Sequence, residues 1–402
     1  MKKIFLLLFL SSAAIQAQYK IKGELQSSEN ITWILLYKIE GAKQVFISNV
    51  APKKATKFKK GVKTTIQMFE FFLPENAPVG SYRVTYKNDG TGFVDFLFNK
   101  EDISFSFHSK NPEASIVFSK SKENILYRNY VNTISSLQYK TDSLQVAYIK
   151  TPSVLTAKLY KSQLKKIALL QKEYIHKATS TLAANFIVAT NKYYSPQIAK
   201  TPETYLKTLK EHYFDAIDLN NKILYNSAFL IDRITDYVFY LNYSEDVETQ
   251  KKLYRKAIET ILTKVKDTAF KKDIIEYIVT LFINQKEVDL VDYLFETVYD
   301  KLPKALQNKD FKKRALEKIS VEVGRIAPEI TWIENGKNYK LSTLNEAQNY
   351  ILVFWSTSCP HCLREIPQLN SFTKGKQHVK VIAFSLEDDD EYWKNFTTDL
   401  KG

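Results

Sequence analysis

Two cysteines occur in the 402-residue chain, and they stand three positions apart in Cys359-Pro360-His361-Cys362. Thiols at that spacing lie one helical turn from each other, within disulfide reach if the segment opens a helix. The flanking residues predict such a helix. Tyr350-Ile-Leu-Val-Phe-Trp355 is a continuous apolar run, the pattern of a strand buried on both faces, and a helix is expected from about Pro360. Proline suits a first helical turn, where its missing N–H costs nothing. A helix N-terminus presents free N–H groups and about half a positive charge. A Cys359 thiolate there is stabilised, and its pKa falls below the free value of ~8.5. Cys359 is then the attacking or attacked thiol at the helix tip, and Cys362 the resolving thiol deeper in the first turn. A charged His361 beside the thiolate lowers its pKa further.

Other uses of the pair are weaker. A zinc half-site has no second cysteine pair to complete it, and His378 would have to recruit a further ligand. Covalent haem attachment needs histidine directly after the second cysteine, and position 363 is leucine. A purely structural disulfide, or an inert thiol pair, stays open. On the redox reading the pair is itself the redox centre, so no metal and no bound cofactor are expected.

The segment Trp355-Ser-Thr-Ser-Cys359-Pro-His-Cys362-Leu-Arg-Glu365-Ile-Pro367 resembles the active-site segment of thioredoxin-like thiol–disulfide oxidoreductases of the TlpA/ResA type, relatives of the AhpC/TSA proteins. Gly324-x-x-Ala327-Pro328 and Leu341-Ser-Thr-Leu344 are similar to that family's lead-in, so the resemblance covers about residues 325–398. It implies a thioredoxin fold in which Pro367 bends the active-site helix and Glu365 tunes the thiols. It also implies protein thiols and disulfides as substrates and a membrane-bound redox partner. Chains of this family with an N-terminal β domain and a helical middle exist, and Gly80-Ser-Tyr82-Arg-Val is similar to theirs. On the same analogy a cis-proline strand, a hairpin strand and a terminal helix should follow Phe396. The thioredoxin-like end therefore reads as truncated, with weak or no activity expected of the 402-residue form.

Departures from the family sharpen the question of redox direction. Ser358 stands where tryptophan is usual, and Val353 where thioredoxin keeps a buried acid. The Pro-His dipeptide resembles that of DsbA-type oxidants. Potentials of about −120 mV for such oxidants and −270 mV for thioredoxin differ by roughly 7 kcal/mol, so dipeptide and family pull in opposite directions. The balance leans slightly to a reductase or isomerase. Peroxiredoxins resemble a pattern with proline seven and threonine three residues before the reactive cysteine. Leu352 and Ser356 occupy those positions, which argues against a peroxidase.

The rest of the chain must position this segment. Met1–Ala17 reads as a cleavable signal peptide: Lys2 and Lys3 precede an apolar stretch too short to span a membrane. No cysteine lies near the cut, so a lipoprotein is not expected, and the predicted address is the periplasm. There a cysteine pair can hold a disulfide. Residues 19–110 alternate apolar with polar, as in Ile103-Ser-Phe105-Ser-Phe107, and Asn88-Asp89-Gly90 is a turn signal. A small antiparallel β-sandwich is expected. Residues 118–323 form an all-α region: no glycine occurs between Gly92 and Gly324. Two helical stripes run through Leu126, Tyr130, Ile134, Leu137, Leu144 and Tyr148, and through Leu253, Ala257, Ile258, Ile261, Leu262 and Val265. Thr201-Pro202-Glu203 opens a helix. Residues 324–402 form an α/β domain, with a hairpin turn at Asn335-Gly336, strands at Tyr350–Trp355 and Val379–Phe384, and an acidic stretch, Glu387–Glu391, opening a last helix. The fold class is thus multidomain α+β.

Composition narrows the function classes. With 45% hydrophobic and 25% charged residues the chain builds real cores, which excludes wholesale disorder. Its net charge of +14 rests on lysine, with only seven arginines, and nucleic-acid readers favour arginine's bidentate fork. No nucleic-acid partner is expected, and a homodimer is left open. The reading is an exported thiol–disulfide oxidoreductase. The alternative is an exported binding or scaffold protein whose truncated thioredoxin-like end is not catalytic.

Overall fold

A computed structural model describes residues 18–59, 62–87, 90–334, 336–387 and 390–398. The expected signal peptide, Asn88-Asp89, Asn335 and Asp388-Asp389 of the acidic stretch lie outside the described residues. Chain contacts divide the molecule into two units, one through Ala315 and one from Leu316.

Among the described residues the first unit begins with nine strands: β1 (Gln18–Gln26), β2 (Ile34–Glu40), β3 (Lys43–Val50), β4 (Lys53–Lys59), β5 (Val62–Pro74), β6 (Gly80–Thr85), β7 (Phe93–Phe98), β8 (Ile103–His108) and β9 (Val117–Lys120). They form a sheet of order β4-β5-β1-β8-β9 and another of order β3-β2-β6-β7. Alternation decides which faces meet. Ile103, Phe105 and Phe107 of β8 are buried in one hydrophobic cluster with Tyr82 and Val84 of β6 and Phe96 and Phe98 of β7. Rings from the two sheets touch there, with Phe96 and Phe105 5.8 Å apart and Tyr19 and Phe98 5.3 Å apart. Gly23 of β1 faces Phe69 of β5, whose ring atoms lie 1.9 Å from where a Cβ would stand. Glycine is required at that close approach.

The antiparallel expectation fails at one place. β1 pairs with β8 in parallel, Ile21 opposite Ile103, so the five-stranded sheet is mixed. Alternation reports which face a side chain takes but not strand direction, and the long excursion between β1 and β8 relieves the parallel pair of the need for a hairpin.

Helices follow: α1 (Pro112–Ser115), α2 (Lys122–Lys150), α3 (Val154–Lys177), α4 (Ala183–Ala189), α5 (Pro202–Glu211), α6 (Lys222–Tyr225), α7 (Ala228–Thr235), α8 (Val247–Lys264), α9 (Thr268–Asn284), α10 (Val288–Thr297) and α11 (Lys309–Ile319), with a π-helical turn at Asp236–Leu241. The sequence separates residues 19–110 from an all-α region at 118–323, whereas β9 pairs with β8 and carries the sheet to Lys120, inside that region, and strands and helices up to Ala315 share one compact unit. Buried polar groups at the start of α2 join them. The Asn124 side chain accepts from the Leu97 N–H at 2.8 Å and donates to the Leu97 carbonyl at 2.7 Å. The buried Glu123 carboxylate accepts from the Asn99 amide at 2.7 Å and from the N–H groups of Leu182 and Ala183 at 3.1 and 2.8 Å.

Along α2, Tyr130 and Ile134 are buried, while Leu126, Leu137, Leu144 and Tyr148 are half-buried. Thr141 and Gln145 take the buried places, the Gln145 amide bonding Ala199 in both directions at 2.8 and 3.0 Å. On α8, Ala257, Ile258 and Ile261 are buried as the stripe predicts, with Val265 just beyond. Thr201 caps α5 by accepting from the Thr204 N–H at 3.2 Å. No helix among the described residues is long and apolar enough to cross a membrane.

The second unit contains β10 (Thr331–Glu334) and β11 (Lys337–Lys340), paired antiparallel, with Gly336 at φ +74° in the turn. Then come β12 (Asn349–Trp355), α12 (Pro360–Thr373), β13 (Val379–Ser385) and α13 (Asp390–Thr398). β12 and β13 run parallel from Asn349 opposite Val379 to Trp355 opposite Ser385, so β12-α12-β13 is a βαβ unit. The doubly buried strand expected at Tyr350–Trp355 is half-buried instead: Trp355 is buried, but Phe354 is 56% exposed. Among the described residues β12 and β13 pair only with each other. Phe354 and Phe384 stack at 5.4 Å, and although Trp332 meets Phe384 edge-on at 5.6 Å, this face stays largely open.

Candidate active site

The site grows out of the end of β12. Trp355 anchors it in the small core, and Ser356-Thr357-Ser358 turns the chain, with the Cys359 N–H donating to the Ser356 carbonyl at 3.1 Å. Cys359 is the N-cap of α12. Its extended backbone starts the helix, its carbonyl accepts from the Leu363 N–H at 3.1 Å, and Pro360 fills the first helical position. The Cys359 sulfur accepts from the Cys362 N–H at 3.2 Å, the place a Ser or Asp oxygen takes in an ordinary cap. The two sulfurs are joined in a disulfide with the α-carbons 5.3 Å apart. Both cysteines are half-buried, so exposure does not set Cys359 apart; its position does. In the reduced pair a Cys359 thiolate would sit at the positive end of the helix dipole with an N–H already aimed at it.

The neighbours divide. His361 is exposed, with Nδ1 3.2 Å from the Arg364 guanidinium. Arg364 also donates to the Glu365 carboxylate at 2.9 Å, so Glu365 is engaged by an arginine on the helix surface. Pro367 lies inside α12 and offers no N–H to the Leu363 carbonyl. Cys362, His361, Glu365, Trp355, Phe354 and Phe372 line a largely apolar cavity of about 730 Å³ beside the disulfide. Among the described residues no cluster of His, Cys, Asp and Glu could hold a metal ion.

Glu387 belongs to the site and went unread in the sequence, where it merely opened an acidic stretch. Its carboxylate accepts from the Ser385 hydroxyl and from the Thr357 N–H, two residues before Cys359. The Leu386 N–H completes the tie by donating to the Trp355 carbonyl at 2.9 Å. The Ser385 hydroxyl above all, then the Thr357 N–H against a desolvation cost, hold the Glu387 pKa down at about 2. A signal was present: parallel pairing of the two apolar runs places the residues just after the second strand beside the loop after the first.

Residues 323–401 match the AhpC/TSA family. This domain is consistent with a thioredoxin-like fold and supports a redox role, as a peroxidase or oxidoreductase. The match does not extend to the β-rich and helical residues before it. No curated protein matches the chain.

Proposed function

We propose that the protein is an exported thiol–disulfide oxidoreductase acting on protein thiols and disulfides. The observation that supports this is the Cys359–Cys362 disulfide at the start of α12, inside the AhpC/TSA-matching segment. In the reducing direction the Cys359 thiolate attacks a substrate disulfide, forming a mixed disulfide and expelling one substrate thiolate. The Cys362 thiolate then attacks the Cys359 sulfur and releases the second substrate thiol. Two electrons pass to substrate, and the oxidised pair awaits a membrane-bound donor; oxidation runs the same steps backwards. Thiol exchange is favoured over peroxide reduction because Ser356 and Leu352 replace the threonine and proline of the peroxidase pattern. Export to the periplasm behind the Met1–Ala17 signal peptide supplies the compartment in which such a pair cycles. His361, Glu365 and Pro367 tune and shape the helix around the pair.

The test is the reduction potential of the Cys359–Cys362 pair, by equilibration in graded glutathione buffers and trapping of free thiols. A value below about −200 mV marks a reductase, and one well above it an oxidant or isomerase. Absence of a reversible couple overturns the proposal in favour of a binding or scaffold protein.

A further inference from the structure

A second cavity, of about 700 Å³, opens in the first unit between α5, α8 and the π-helical turn. Its volume falls within the ~300–1,000 Å³ typical of small-molecule sites, and π turns within helices gather at functional places. The floor is apolar, with Phe214, Tyr237 and Ala257 all buried. Four lysines reach the rim (207, 210, 256 and 264), together with Glu203 and Glu211. The carboxylates are spoken for. Glu211 pairs with Lys207 at 3.8 Å, and Glu203 is held by its own backbone N–H and the Thr201 hydroxyl at the start of α5.

Among the described residues neither the Lys210 nor the Lys256 ammonium has a carboxylate within ion-pair distance. Among the described residues Lys264 too lacks an ion-pair partner; Lys210 and Lys256 are set apart because their charges act on each other. Burial, and then the charge of Lys256, push the Lys210 ammonium below the ordinary lysine range. Two like charges beside a desolvated floor raise the energy of the empty site, and an anion between them removes that penalty. A bare inorganic anion would leave the aromatic floor unused, and an uncharged apolar molecule would leave the ammoniums unpaired.

We propose that this cavity binds a small amphipathic organic anion, its carboxylate or phosphate between Lys210 and Lys256 and its apolar body on Phe214, Tyr237 and Ala257. The site is separate from thiol chemistry and stands or falls without it.

The experiment is calorimetric titration of the full chain, at low salt, with octanoate, octyl phosphate, inorganic phosphate and octanol, each below its aggregation limit. Octanoate or octyl phosphate should bind saturably, and inorganic phosphate and octanol at least about tenfold more weakly. The stronger of the two amphiphiles identifies the headgroup. Lys210→Ala with Lys256→Ala should weaken binding about tenfold or more, since a charged hydrogen-bond donor is removed at each place. Lys210→Arg with Lys256→Arg should retain it, which separates loss of charge from loss of fold, and Lys158→Ala on α3 should leave it unchanged. Absence of saturable binding, equal binding of octanol, or full affinity in the double-alanine variant overturns the proposal.

Discussion

The two units solve different problems with the same kinds of residue. Up to Ala315 a large aromatic core is packed inside: Phe71, Phe98, Phe107, Tyr130 and Phe282 are each at most 2% exposed, although Phe46, Phe72 and Tyr139 are more than half exposed, and buried polar groups such as Glu123 and Asn124 carry full sets of partners. From Gly324 onward, among the described residues, Trp355 is the only buried apolar side chain, and Phe354 and Phe372 are more than half exposed. Stability therefore concentrates in the first unit. The chemistry concentrates in the second, where the cysteine pair needs a rigid helix start rather than a deep core.

That contrast can be broken or sharpened by substitution. The largest effect is expected from Cys359→Ser, which should abolish turnover of a model protein disulfide while the unfolding of the first unit stays unchanged. Wild-type turnover in that variant would remove the chemistry from the second unit. Next comes Phe282→Ala on α9, which empties a site at 0% exposure. It should cost about 3–5 kcal/mol in denaturant unfolding and leave the potential of the cysteine pair unaltered. A shift beyond about 30 mV, a tenfold change in the thiol–disulfide equilibrium, would mean the units are energetically coupled. The smallest effect concerns Glu387. Its pKa in the folded protein is about 2 against an ordinary 4.5. Its stabilisation is therefore fully present above pH 4.5 and lost as pH falls toward 2. Hydrogen exchange at the Thr357 amide should show protection fading across that window in the wild type. Glu387→Gln should be less protected above it and insensitive within it; an identical profile in both proteins would dismiss the tie.

How much of this could be read in advance depended on range. The α12 start was legible because cap, proline and both cysteines lie within four consecutive residues. Gly336 announced its turn for the same reason, and the Thr201 cap sits three residues from its partner. Burial of Gln145 and Glu123 was not legible. Polar residues enter a core only when remote partners satisfy them, and those partners, Ala199 for one and Leu182 and Ala183 for the other, are tens of residues away. Glu387 escaped notice likewise, because its meaning comes from a loop 30 residues earlier.

By itself the order of residues determined the redox-capable pair, its place at a strand-to-helix junction, and the change from alternating to helical apolar spacing between about residues 110 and 122, though not β9 itself. These are consequences of backbone geometry over a few turns or pleats. Tertiary structure alone decided that β1 and β8 run parallel, that β12 is covered incompletely, and that Lys210 and Lys256 line one cavity with no carboxylate, among the described residues, within ion-pair distance of either. Strand direction, burial and the pairing of charges are properties of which distant segments meet, and local spacing holds no record of that meeting.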